Sequence, residues 1–214
     1  MKVMAFNGSP RKNWNTATLL NKALEGAASQ GAETELFHLY DLDFKGCLSC
    51  FACKTKGGKS YGRCAAVDGL TPILKKVEAA GAIILGSPIY FGSVSGVMRS
   101  FLERLMFPYA AYTNPYQSIF PEKINTGFIY TMNITEEQIK EYGYKGSLGR
   151  TEMTLQMIFG ASESLYSYDT YQFDDYSKVV ADRFDSEKKA KRRKEAFPID
   201  CEKAFEMGAR FARN

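Results

Sequence analysis

The chain has 214 residues, of which 45% are hydrophobic and 24% charged, and a formal net charge of +4. These values fit one globular domain with a sizeable core. They exclude a membrane-spanning chain, since no apolar stretch approaches roughly 18 residues, and the mild charge does not call for nucleic acid.

The short apolar start reads as a strand and not as a signal peptide, so the cytoplasm is the expected compartment. The five cysteines are then expected to be thiols or metal ligands rather than disulfides. Residues 2–6 have strand character and break at Asn7-Gly8. Residues 9–18 form a loop rich in hydroxyls and amides, and a helical pattern follows (Leu19, Leu20, Ala23, Leu24, Ala27). A strand, a polar loop and a helix start make a site for an anion, because first-turn N–H groups lack intrahelical partners and the helix dipole favours negative charge there. Ser9, Thr16 and Thr18 can add hydroxyls and Arg11 a cation. The loop lacks the glycine patterns that wrap a triphosphate or a pyrophosphate. It suits one compact terminal phosphate, such as that of FMN. An ordinary loop with Asn15 or Thr16 as N-cap shows the same pattern.

Residues 34–39 alternate and predict a second strand, with His38, the only histidine, structural or exposed. Residues 41–68 are a long connection holding Cys47, Cys50, Cys53 and Cys64. Residues 69–80 predict a helix, and residues 81–86 an apolar strand buried on both faces. After the loop 87–93 comes a helix with Val97, Phe101, Leu102 and Leu105. The aromatic, proline-broken stretch 107–121 is expected to cover the body or to form an interface. Residues 124–132 predict a fourth strand and 164–168 a fifth, with a helix firm only from about residue 151 between them. A final helix spans 187–213, broken or begun at Pro198. Within it, the basic run 188–194 is expected to be a solvated face, and Cys201 a packing residue. Trp14 covers a cofactor, makes an oligomer contact or stands exposed. Five alternations of strand and helix predict the α/β class with a parallel sheet, whose ligands bind beyond the carboxyl ends of the strands.

The loop at 87–93 combines the tight path of Pro88 and its glycines with the aromatic edges of Tyr90 and Phe91. That suits a flat ring such as isoalloxazine, and also a plain core strand end. Gly8-Ser9-Pro10-Arg11-Lys12 with Asn15-Thr16, and Gly86-Ser87-Pro88-Ile89-Tyr90-Phe91-Gly92-Ser93 with Gly96, resemble the NADPH-dependent FMN reductase family of flavodoxin-like proteins over roughly residues 1–170. The resemblance implies a flavodoxin-like three-layer α/β/α sandwich, a five-stranded parallel sheet in the order 2-1-3-4-5, and FMN at the strand ends. It implies that Ser9, Arg11, Asn15, Thr16 and Ala17 hold the phosphate. Pro88, Ile89, Tyr90, Phe91 and Gly92 would line the ring, and Thr131, Met132, Asn133 and Tyr171 would complete the site. The expected organisation is a single domain over 1–214, with a cysteine-rich loop at 43–68 and a C-terminal helical extension at 187–214.

The spacing Cys47-x-x-Cys50-x-x-Cys53 with Cys64 suits a [4Fe–4S] cluster or tetrahedral zinc, or else free thiols or a disulfide in a surface loop. It is similar to the compact motif of iron–sulfur flavoproteins, except that the gap before Cys64 is longer. The expected function is an FMN-dependent NAD(P)H oxidoreductase that passes hydride from a nicotinamide to FMN and on to a small-molecule or protein acceptor. The alternative is an iron–sulfur flavoprotein carrying electrons between proteins. A homodimer or homotetramer is expected by the resemblance, with no nucleic-acid or membrane partner.

Overall fold

A computed structural model of the protein describes residues 1–213. Its apolar runs line up as β1 (Lys2–Asn7), β2 (Glu33–His38), β3 (Ala82–Tyr90), β4 (Ile124–Thr131) and β5 (Gly160–Ser167). All five are parallel, in the order β2-β1-β3-β4-β5. A two-residue strand, Ser93–Val94, pairs antiparallel with the end of β3. Among the described residues the sheet therefore has six strands where five were expected.

Among the described residues seven α-helices accompany the sheet: α1 (Asn15–Ala28), α2 (Thr71–Val77), α3 (Gly96–Met106), α4 (Glu136–Glu141), α5 (Tyr144–Phe159), α6 (Ser186–Glu195) and α7 (Phe197–Ala212). Successive strand residues face opposite sides, so each strand feeds two cores. Val3, Ala5, Ala82, Ile84 and Ile129 pack under α1 and α7. Met4, Phe6, Ile83, Leu85 and Phe128 pack under α2, α3 and α5. Burial on both faces explains why β3 reads as a continuous apolar run. The terminal helix α7 is thus one of the two helices covering a sheet face. It meets α1 backbone to backbone: a Cβ on Gly208 would lie 1.7 Å from the Ala23 carbonyl oxygen, and one on Gly26 would lie 1.9 Å from that of Phe205.

Several boundaries differ from expectation. β3 continues through Ser87 and Pro88 because both still pair with β4. α5 starts at Tyr144, since Leu148, Leu155, Ile158 and Phe159 give it a buried stripe and its glycines at 146 and 149 meet only open space. β5 starts at Gly160, where β4 pairing begins. The final helix is two, with Pro198 in the first turn of α7. The stretch 107–121 covers the core. It buries Tyr109 and Phe120, and the Phe120 ring sits 4.8 Å from that of Phe159. Among the described residues no helix is long and apolar enough to cross a membrane.

Candidate functional site

Three loops converge at the carboxyl end of the sheet. The first leaves β1 at the buried Asn7, whose Nδ2 lies 3.0 Å from His38 Nδ1 on β2. Its Oδ1 accepts the Ser9 N–H at 2.9 Å, and Ser9 Oγ in turn accepts the Arg11 N–H at 3.1 Å. These side-chain turns set the loop's path. His38 is structural, as expected. α1 begins at Asn15 with Trp14 as its N-cap, no side-chain cap and no acidic residue in the first turn. The first helical bond runs from the Thr18 N–H to the Trp14 carbonyl at 2.8 Å, so the N–H groups of Asn15, Thr16 and Ala17 stand outside the ladder.

Asn15 and Thr16 are not caps because their side chains are committed elsewhere. Asn15 Nδ2 donates to the Tyr171 carbonyl at 2.8 Å, its Oδ1 accepts from Arg193 at 2.7 Å, and Thr16 Oγ1 lies 2.8 Å from Thr131 Oγ1. The Thr18 hydroxyl donates to the Trp14 carbonyl at 3.0 Å and adds nothing to the loop's anion donors.

The second loop is a hairpin. Ile89 pairs with Val94 and Tyr90 with Ser93, leaving Phe91 and Gly92 as a two-residue turn with φ of 49° and 77°. Positive φ at both positions is the primed turn that matches strand twist. The turn throws the Phe91 side chain fully into solvent, so Phe91 does not line the cavity. Phe91→Asn should raise stability by about 1 kcal/mol, since a left-handed backbone costs an ordinary residue roughly 1–2 kcal/mol; chemical denaturation measures it. Ser95 locks this loop to the first: its Oγ donates to the Gly8 carbonyl at 2.6 Å, and its N–H donates to Ser87 Oγ at 3.0 Å.

The third loop, Thr131 to Asn133, is held from the C-terminal side. Lys189, with its side chain 4% exposed, bonds the Asn133 carbonyl at 2.8 Å and also reaches Asn133 Oδ1 and Asp169. Residues 169–179 then run as a strap over the first loop. Arg11 donates to the Gln172 carbonyl at 2.5 Å and Trp14 Nε1 to that of Tyr171 at 3.0 Å. The Arg11 guanidinium also lies 3.8 Å over the Trp14 ring. Lys189→Met should cost about 2 kcal/mol, because it strands a partly buried carboxylate and a carbonyl. It should also loosen the third loop, which protection of the Asn133 amide from hydrogen exchange would show.

The loops and strap enclose a cavity of about 610 Å³, within the range of small-molecule sites. Of the candidate residues, Ser9, Arg11, Asn15, Thr16, Pro88, Ile89, Tyr90, Thr131, Met132 and Asn133 line it. Ala17, Phe91, Gly92 and Tyr171 do not. Ala17 is buried in α1, Gly92 lies against Tyr144, and Tyr171 uses its carbonyl to anchor the strap. Sequence reasoning missed Asp174, Asp175, Lys178 and Val179 on the strap. It also read the basic run as solvated, whereas Lys189 and Arg193 turn inward. Their i, i+4 spacing was the available signal.

The cysteine loop forms a second cavity of about 350 Å³, lined by Cys47, Cys50, Cys53 and Cys64 together with Glu103 and Arg104 of α3. The Gly62 N–H bonds the Cys53 carbonyl at 3.0 Å, so residues 54–61 loop out and return Cys64 to its partners. All four thiols are free, and burial pushes the Cys53 thiol up. Among the described residues no three metal-ligating side chains converge as one ion requires; sulfurs on zinc sit only about 2.3 Å from a common centre. Zinc therefore does not fit. The four thiols line one cavity, and Arg104, whose buried Nε–H has no partner, lines the same space.

The NADPH-dependent FMN reductase family matches residues 1–118. An iron–sulfur flavoprotein of Methanocaldococcus jannaschii is 41% identical over 104 residues, 49% of this chain and 51% of that protein. One from Archaeoglobus fulgidus is 38% identical over 104 residues, 49% of this chain and 48% of its own length. The chain thus spans about half the length of the curated relatives it matches. An NAD(P)H:quinone oxidoreductase from Methanothermobacter marburgensis superposes with a TM-score of 0.68 at 15% identity, covering 97% of this chain and 96% of the other. An FMN-dependent NADH-azoreductase from Bacillus anthracis, solved with FMN, gives 0.66 at 11%, covering 99% and 100%. The fold is flavodoxin-like, and the chain belongs to the NADPH-dependent FMN reductase family.

Proposed function

We propose that this protein is an FMN-dependent NAD(P)H oxidoreductase, built as one flavodoxin-like domain. The observation that carries the reading is the cavity at the ends of β1, β3 and β4, with an uncapped helix start at its floor. Bound there, FMN would supply hydride acceptance from a nicotinamide and delivery of electrons to a second acceptor. The backbone N–H groups of Asn15, Thr16 and Ala17, with Ser9 and Arg11, would hold the phosphate. Pro88, Ile89 and Tyr90 would wall the ring on one side, and Thr131, Met132 and Asn133 on another. Asn15 serves through its N–H, because its side chain already pins the strap to α6.

FMN should bind at least about tenfold more tightly than riboflavin, since charge-assisted hydrogen bonds contribute about 1.5–3 kcal/mol each. Arg11→Ala should shrink that ratio. Flavin fluorescence titration measures both, and equal affinity for the two flavins in the wild type would defeat the phosphate assignment. Anaerobic bleaching by NADH and by NADPH then tests the donor.

The four-thiol cavity favours a further reading, a [4Fe–4S] cluster on Cys47, Cys50, Cys53 and Cys64. The looped-out gap before Cys64 and the similarity to iron–sulfur flavoproteins support it. When bound, it would supply one-electron transfer. Anaerobically purified protein should contain iron and sulfide; their absence after reconstitution refutes it. Exposed Phe51, Tyr112 and Tyr116 beside this cavity support a homodimer or homotetramer, which light scattering tests.

A further inference from the structure

Arg104 lies on α3 with its side chain 2% exposed. Its Nη1 donates to the Lys45 carbonyl at 2.9 Å and to Asp68 Oδ2 at 2.7 Å, and its Nη2 donates to Asp68 Oδ1 at 3.1 Å. Lys45 stands two residues before Cys47, and Asp68 four residues after Cys64. One guanidinium therefore clamps both ends of the cysteine loop. Of its two remaining N–H groups, Nε–H is buried and unpartnered. Folded proteins rarely leave such a donor bare, because an unsatisfied buried charged group costs more than a neutral one.

The cavity that Arg104 lines is the one shared by the four thiols. Two other charged groups stand beside it, and neither has a donor to spare. The Glu103 carboxylate accepts the Cys47 N–H at 3.1 Å. The Lys54 ammonium is matched by the carbonyls of Phe107, Pro108 and Ala110. Arg104 is thus the cation that combines a free N–H with this space.

We propose that Arg104 is a positioning residue that sets the reduction potential of an iron–sulfur group held by the four thiols, through an Nε–H hydrogen bond to sulfur. The proposal rests on the cluster reading above. Reduction places more negative charge on sulfur, so a hydrogen-bond donor there stabilises the reduced state and raises the potential.

Two variants test this on the reconstituted full chain. Arg104→Lys keeps a cation beside Asp68 and removes Nε–H. Arg104→Met with Asp68→Asn removes both charges of the pair, leaves the net charge unchanged and also lacks the donor. The readouts are iron and sulfide content, the electron paramagnetic resonance signal of the reduced cluster, and its reduction potential, with the flavin potential as internal reference. In both variants the one-electron reduction constant should fall at least tenfold, ~59 mV, with flavin potential and iron content unchanged. Loaded variants whose cluster potential and resonance signal match the wild type overturn the proposal alone. Wild-type protein that takes up no iron and sulfide overturns the cluster reading and the proposal with it.

Discussion

Gly208→Ala should cost about 3 kcal/mol or more of folding stability, although alanine is the better helix former by about 1 kcal/mol. The added methyl would sit 1.7 Å from the Ala23 carbonyl oxygen and 2.6 Å from its carbon. Those are backbone atoms inside a helix, so no side-chain rotation relieves the overlap, and α7 must back away from α1. Overpacking of rigid cores typically costs about 1–3 kcal/mol and occasionally more. Separation of the two helices also opens the core formed by Leu19, Ala23, Ala204 and Met207. The same displacement moves the start of α1, so FMN affinity should fall together with stability. Urea denaturation and flavin titration of one preparation check both; a variant as stable as the wild type would show that the helices do not meet at this glycine.

Asp68→Asn should cost about 3–5 kcal/mol, the loss typical when one member of a buried ion pair is removed. Its partner Arg104 is 2% exposed and Asp68 22% exposed. The asparagine strands the guanidinium without its counter-charge. The Arg104 hydrogen bonds hold the Asp68 carboxyl below its ordinary range, against the opposing effect of burial. A depressed carboxylate stabilises the fold fully above its unfolded pKa of about 3.9. That contribution is lost as pH falls through the lower folded value. Wild-type stability should therefore fall below about pH 4, and the variant should show a shallower slope there. Denaturation midpoints between pH 6 and pH 3 measure this. The paired change of Arg104 and Asp68 should be milder than Asp68→Asn alone, since deleting both partners leaves no orphaned charge.

How much of this was legible follows the physics of each segment. The five main strands were readable from apolar or alternating runs, whereas their order came from the resemblance carried by the two loop motifs. The added strand at Ser93–Val94 was not, since two residues carry no periodicity. The start of β5 was hidden because Gly160 to Ser164 is polar, small and exposed or half-buried; backbone pairing with β4 alone makes it a strand. α5 was half-read because glycine weakens helix propensity, and tertiary burial outweighed that. The first and second loops announced themselves by motif. The strap beyond residue 173 did not, and the contacts of its first part to Arg11, Trp14 and Asn15 are made by its own carbonyl groups, which any residue provides. The inward face of α6 and α7 places Lys189, Arg193, Phe197 and Asp200 on one stripe. A stripe of mixed charge with one aromatic does not register as a buried face until its partners, Asp169, Asn133 and Asn15, are known.

Because the Gly62 amide pinches the chain back onto the Cys53 carbonyl, the arc between them is a bight tied off at its neck. Trimming or lengthening that arc should leave the sulfur-lined hollow standing. Counting residues from one cysteine to the next is therefore a poor ruler here: distance along the thread and distance across the knot are independent quantities.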